Sequence, residues 1–276
     1  MAETKEDVTN HARTARTRLT GYLSEMFCSL QGEGLFVGER QVFVRTAGCV
    51  ATCSWCDTVY SKVQTPRFVT HTDDGNGKKS WRPNPVNLDD VVADVTAFAG
   101  AQAVTNVSIT GGEPLEQPEF VAALARELRA RGLRIHLETA GLHGEALRSV
   151  IDHVDVIAMD VKLPSATGVE HWDDHRGFLE TIRDHRDPAR VVFVKVVVDL
   201  KGTVAEIERA AELVAEFDRG IPLILQPESG TLFGRGATAE TARTLLDLVD
   251  AGARSAARRL NTVRIIPQTH KVLHIR

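Results

Sequence analysis

The sequence contains no run of apolar residues near the ~18 that a membrane-spanning helix needs. It has no secretory signal at its start, where residues 1–20 are polar and charged. Arg and Thr there faintly resemble a transit peptide, but Glu3, Glu6 and Asp7 oppose that reading. The expectation is a disordered leader over residues 1–20 on a cytoplasmic protein with no membrane contact. A basic excess is also missing: 33 Lys and Arg stand against 37 Asp and Glu, a formal net charge of −4. Proteins built around nucleic-acid backbone usually carry the opposite balance, so no nucleic-acid partner is expected. Cysteine is scarce, at four in 276 residues, which excludes a disulfide scaffold. A chain of this length buries a sizeable core without such staples, and residues 21–276 fit a single α/β domain.

What cysteine there is lies concentrated. Cys49, Cys53 and Cys56 follow one another as C-x3-C-x2-C. Thiols this close read as a metal or cluster site. A closed zinc centre wants four ligands, and no His lies between Gly48 and Ser61 to supply the fourth. Cys28 sits well upstream on an apparent strand, where it reads as a small buried residue. An iron–sulfur cube held by three thiolates explains the count better, because one iron is left open. Zinc is the competing reading.

Hydrophobic periodicity places strands at residues 22–28, 41–46, 107–110, 134–138, 154–160, 191–198, 222–226 and 263–267. Helices are expected at 88–99, 118–130, 173–184, 203–217 and 239–259, with a short one near Glu145. In the second of these, Phe120, Ala123, Leu124 and Leu128 share one face, away from Arg126 and Arg129. The run VVFVKVVV at 191–198 suits a parallel strand buried on both sides. Residues 71–85, rich in Gly, Asn, Asp, Lys and Pro, read as a surface insertion. About six strand–helix units imply a parallel sheet with helices outside it, a partial or open (β/α)6-type barrel. Gly111-Gly112-Glu113-Pro114, Glu138-Thr139, Asp160-Val161-Lys162 and Gln226-Pro227-Glu228 each fall just past a strand end, and together they point at one mouth.

The cysteine loop after an early strand, with Trp55 before its last cysteine, resembles the radical S-adenosylmethionine superfamily. TGGEP at 110–114 is similar to that superfamily's motif for the cofactor's methionine amino group. SLQGEG at 29–34, RxxGC at 45–49, CDT at 56–58 and QTHK at 268–271 resemble, more narrowly, the 7-carboxy-7-deazaguanine synthase family. That resemblance runs from about Tyr22 to Arg276. Activases of glycyl-radical enzymes share the loop and the GGEP-like turn, but not both ends in this combination.

The resemblance implies a radical S-adenosylmethionine lyase. It would convert 6-carboxy-5,6,7,8-tetrahydropterin to 7-carboxy-7-deazaguanine with ring contraction and loss of ammonia, in 7-deazapurine biosynthesis of the queuosine or preQ0 type. Cys49, Cys53 and Cys56 would hold a [4Fe-4S] cluster, and Thr58 would ligate Mg2+, a hard cation that accepts a hydroxyl oxygen. Trp55, Asp57, Gly111, Gly112, Glu113 and Glu138 are carried over as cofactor contacts, together with Asp160, Lys162, Gln226 and Glu228. Leu30, Gln31, Gly32, Glu33, Arg45, Thr110 and His270 are carried over as substrate contacts, with Arg276 offering its terminal carboxylate. The side-chain chemistry agrees: Arg45 presents a fixed fork to an anion, and Gln31 and Glu33 suit a guanine-like edge. An electron donor of flavodoxin or ferredoxin type and a homodimer are the implied partners. Part of the family has Ser-Pro-Lys where this chain has Asp160-Val161-Lys162, which would put a carboxylate in place of a hydroxyl. Lys195 interrupts a buried strand, either to reach the mouth or to pair with a core carboxylate. His143, His171 and His185 read as solvated surface groups. Two other readings compete with the lyase: an activase that oxidises a glycine of a partner protein, and a metal-stabilised binding module.

Overall fold

Alternating side chains decide how the strands are used. In Val191–Val198, Val194, Val196 and Val198 face the same large apolar cluster as the helices, while Phe193 belongs to a smaller cluster on the other side. The same alternation sends Ile135 and Leu137 one way and His136 and Glu138 the other. Every central strand thus has an apolar face against helices and a mixed face turned inward. The structure, a computed structural model, describes residues 19–72 and 78–275. The expected leader up to residue 18 lies outside the described residues, as does Arg276. Leu19 and Thr20, included in that leader by sequence, are tied in: Leu19 O accepts from Leu88 N–H at 2.9 Å and Thr20 pairs with Asn87.

The strands are β1 (Leu23–Leu30), β2 (Arg40–Thr46), β3 (Arg67–Thr72), β4 (Lys78–Pro83), β5 (Asn106–Gly111) and β6 (Arg134–Thr139). They continue as β7 (Val156–Asp160), β8 (Val191–Val198), β9 (Leu223–Pro227) and β10 (Val263–Ile265). The main helices are α1 (Leu88–Gln102), α2 (Pro118–Arg129), α3 (Gly144–Val150), α4 (Trp172–Asp184), α5 (Val204–Phe217) and α6 (Ala239–Ala256). These ten strands join one open sheet in the order β10-β9-β8-β7-β6-β5-β2-β1-β3-β4, and Thr20–Gly21 pairs with Val86–Asn87 in a separate two-stranded sheet. From β2 through β10 every neighbouring pair along that order is parallel, and the intervening helices make the crossovers. The sheet does not close, as expected of a partial barrel.

One feature departs from the sequence reading and another adds to it. β1 runs antiparallel to β2, although it pairs in parallel with β3 on its other edge. In the segment 71–85, a surface insertion by sequence, the described residues 71–72 and 78–83 belong to β3 and β4, an antiparallel edge hairpin that lengthens the sheet, with Trp81 under the Arg67 guanidinium and Arg82 over Phe68. Polar composition hid it, because an edge hairpin is solvated and needs no apolar alternation. His71, at the expected start of that insertion, is buried and lies 3.6 Å from Glu25. Elsewhere the outer layer follows the pattern. Phe120, Ala123, Leu124 and Leu128 of α2 are buried, and α5 buries Ile207, Ala211 and Val214 behind a Thr203–Glu206 capping box. Truncating a fully buried residue such as Leu124 or Phe178 costs about 2–5 kcal/mol.

One buried histidine fastens this layer to the sheet ends. His175 on α4 accepts the Lys162 N–H at 2.9 Å through Nε2, and its Nδ1 lies 3.1 Å from Gly141 O, which takes the proton on the other nitrogen. Burial lowers its pKa from the ordinary 6.5 to about 4, and the ring is neutral. The unfolded chain binds a proton as pH falls through 6.5, while the folded chain does not until about 4. This contribution to stability is therefore full above pH 6.5 and is lost as pH falls through 4, about 3 kcal/mol in all. Urea unfolding between pH 7 and pH 4.5 should show that decline, and His175→Gln should flatten it.

Candidate active site

The inward faces and strand ends enclose a cavity of about 490 Å3. Its wall unites segments far apart in sequence: Gln31 and Glu33 after β1, the three clustered cysteines, Gly111 and Gly112 after β5, Glu138, Asp160, Lys195 and Gln226. Backbone contact sets the cysteine loop against the β5 turn. Glu113 N–H donates to Gly48 O at 2.7 Å, and a side chain at Gly112 would run into the Gly48 and Ser61 carbonyls. Glu113 itself is buried, accepting from Leu115 N–H at 3.0 Å, Thr139 Oγ1 at 2.8 Å and Ala140 N–H at 2.7 Å. Its carboxylate caps the turn.

A line of opposite charges crosses the cavity. The Lys195 ammonium donates to the Glu33 carboxylate and lies 3.2 Å from Asp160 Oδ2. Lys162 Nζ lies 3.0 Å from the same oxygen and 4.7 Å from the centre of the Trp55 ring. Burial alone would raise the pKa of Glu33, but Lys195, Gln268 and His270 outweigh it and hold it at about 2. Burial likewise opposes the charge on Lys195, and Glu33 and Asp160 overcome it, so its pKa is raised. Gln268 Nε2 donates to Glu33 Oε1 at 2.6 Å, and Thr269 N–H donates to Gly32 O at 2.8 Å, which brings the two ends of the chain together.

A second carboxylate gathers three donors. Glu138 Oε1 accepts from Ser108 Oγ at 2.6 Å and Gln31 Nε2 at 2.8 Å, while Oε2 accepts from Thr110 Oγ1 at 3.1 Å. Arg45 Nε donates to Glu25 Oε1 at 2.9 Å, and Tyr60 OH donates to the same oxygen at 2.7 Å. The bond through Nε leaves the paired terminal nitrogens of Arg45 for an anionic ligand.

A family model described as the radical SAM superfamily matches residues 43–216. A 7-carboxy-7-deazaguanine synthase of Geobacter sulfurreducens is 41% identical over 91% of this chain and 96% of its own length. The chain belongs to the 7-carboxy-7-deazaguanine synthase family. The synthase of Methanopyrus kandleri is 33% identical over 90% of this chain and 92% of its own. QueE from Escherichia coli, a solved structure, matches with a TM-score of 0.54 at 23% identity, covering 97% of this chain and 100% of that one. That likeness shows a common fold.

The residues present fit the groups this family implies. Cys49, Cys53 and Cys56 all line the cavity, whereas Cys28 lies outside the lining, buried on β1. Burial raises the thiol pKa values of Cys49 and Cys53, a cost that metal binding offsets when it displaces the protons. Three thiolates are one short of the four ligands of a closed structural zinc site and match a cluster that leaves one iron open. The cavity wall also carries buried polar atoms with no hydrogen-bond partner among the described residues: Trp55 Nε1, Asp160 Oδ1, Gln226 Oε1 and both ring nitrogens of His136. Unmet polar groups on an open wall suit polar ligands.

Of the residues named from sequence, Gln31, Glu33, Arg45, Thr58, Thr110 and Asp57 line the cavity, with the cysteines, Trp55, Gly111, Gly112, Glu138, Asp160, Lys162, Gln226 and Glu228. Leu30, Gly32, Glu113 and His270 do not. The His270 ring lies against Gly32, where any side chain would collide with it. Gln268 and Lys271, neighbours of His270, line the cavity instead, and Lys271 Nζ lies 3.1 Å from Asp57 Oδ2. Glu138, grouped with cofactor contacts by sequence, bonds here to Gln31 and Thr110 of the substrate group. The Glu228 carboxylate caps the turn Ser229–Phe233. His143, His171 and His185 are half-buried rather than solvated, and none lines the cavity. Sequence reasoning missed His136 and left Lys195 open, although period-two alternation with Glu138 and Phe193 marks both as inward.

Replacing Lys195 by Met strands Glu33 and Asp160 without their shared cation. Urea unfolding at pH 7 should show a loss of about 3–5 kcal/mol. Adding Glu33→Gln to that variant should recover part of the loss, and a purely additive double variant would refute the pairing.

Proposed function

We infer that this protein converts 6-carboxy-5,6,7,8-tetrahydropterin to 7-carboxy-7-deazaguanine as a radical S-adenosylmethionine lyase of 7-deazapurine biosynthesis. The observation that carries this is the junction of the two end segments at the cavity: QGEG meets QTHK through Gln268 to Glu33 and Thr269 to Gly32. The kinship with named synthases over nine-tenths of the chain agrees with it. When bound, a [4Fe-4S] cluster and S-adenosylmethionine would supply the radical chemistry needed to remove one hydrogen from the substrate.

The protein's own residues supply placement. Cys49, Cys53 and Cys56 would hold the cluster through their thiolates, and a cluster so held would supply an iron for S-adenosylmethionine. Trp55, Asp160 and Gln226 have free polar atoms for that cofactor, and Asp160 offers a carboxylate oxygen that suits a ribose hydroxyl. Glu33, held ionised by Lys195, accepts from the N–H groups of the pyrimidinone edge, and Gln31 and Glu138 complete a polar rim. Arg45 would pair with the substrate carboxylate, and Thr58 would offer a hydroxyl oxygen to a Mg2+, a hard cation that would help neutralise the substrate's negative charge. The segment Thr269–Val272 covers the QGEG turn and helps keep water from the radical. A flavodoxin- or ferredoxin-type donor supplies the electron, and the protein works as a homodimer in the cytoplasm. No helix among the described residues is long and apolar enough to cross a membrane.

Anaerobically reconstituted protein given reductant, S-adenosylmethionine, Mg2+ and the pterin should yield 7-carboxy-7-deazaguanine by mass spectrometry, and Cys53→Ala should yield none. Accumulation of 5′-deoxyadenosine alone would instead favour the activase reading. Thr58→Ala should weaken the Mg2+ dependence of turnover by about tenfold or more while the cluster's absorbance stays intact. An unchanged Mg2+ response would remove Thr58 from the site.

A further inference from the structure

His136 is a polar residue for which the mechanism above has no use. It lies on β6, in register with Ser108 of β5, one inward position below Glu138. Its ring is 2% exposed and lines the floor of the cavity. The neighbours are apolar: Phe36 stands edge-on at 5.4 Å between ring centres and Phe193 at 6.0 Å. Ser108, the nearest hydroxyl in register, gives its proton to Glu138 instead. Neither Nδ1 nor Nε2 of His136 has a hydrogen-bond partner among the described residues. Burial keeps the imidazole neutral, so it carries one N–H and one lone pair. Groups buried this deeply are nearly always met, and these two unmet nitrogens belong to a residue that lines the cavity.

We propose that His136 is a substrate-binding residue, giving one hydrogen bond to the polar edge of a flat bicyclic heterocycle and so setting how deep it sits. Ala158 on β7 and Phe193 on β8, in register with each other, form one apolar wall beside β6 that suits the face of a planar ring. The inference rests on the functional reading above and adds a contact that neither the cysteine loop nor the end motifs contain.

Gln and Met are close in volume, but only Gln keeps a donor and an acceptor. Anaerobically reconstituted full-length protein bearing His136→Met should show KM for the pterin raised about tenfold, with kcat reduced less, and His136→Gln should recover most of that. Reductive cleavage of S-adenosylmethionine without substrate should be equal in all three proteins. That separates a substrate contact from damage to the cluster. Should the Met variant not fold, His136→Leu carries the same comparison. Wild-type turnover of the pterin is the control: without it the functional reading falls, and this inference with it. Turnover by the wild type with an unchanged KM in the Met variant overturns this inference alone, the ring nitrogens then being met by water.

Discussion

A buried ammonium between two carboxylates holds this cavity together. Lys195 joins Glu33 from the loop after β1 to Asp160 at the end of β7, and Asp160 passes the charge on to Lys162. Two cations and two anions cancel, and that cancellation offsets the desolvation each would suffer alone. Because Gln268 also bonds to Glu33, the same charge cluster anchors the C-terminal segment over the mouth. Strand order makes this possible: β7 and β8 are neighbours, with Asp160 and Lys195 in register.

The cysteine loop depends on a different constraint, the closeness of two backbones. Gly112 has no side chain, so the turn after β5 lies directly on the chain at Gly48, and the Glu113 amide bonds to it. Glu113 then spends its carboxylate on the turn and on the start of the loop after β6. A motif associated with cofactor contact thus also aligns the loop that carries the thiols. Placement of this kind matters where a reactive radical must meet one hydrogen and no other.

Much of the fold was legible from periodicity. VVFVKVVV appears as a strand over the residues expected, and the apolar face of α2 is the one the spacing marks. The β3–β4 hairpin was not legible, because Lys78, Lys79 and Ser80 lie on a solvated edge where burial imposes no pattern. The end of α6 shows a similar limit. Arg258 and Arg259 look helical by composition, but their N–H groups reach back only three residues in a closing turn.

At the site, residue type and spacing along the chain determined the donor set: three thiols in one loop, a Gly-Gly-Glu-Pro turn, and QGEG and QTHK at opposite ends. Alternation along each strand determined which side chains turn inward. Only the tertiary structure decided which of them meet. That Lys195 answers both Glu33 and Asp160, that Gln268 rather than His270 faces the cavity, and that His136 is left unpartnered depend on contacts between residues remote in sequence. Local chemistry fixes a side chain's capacity to bind or ionise, whereas its partner is set by strand order and register, which no single segment encodes.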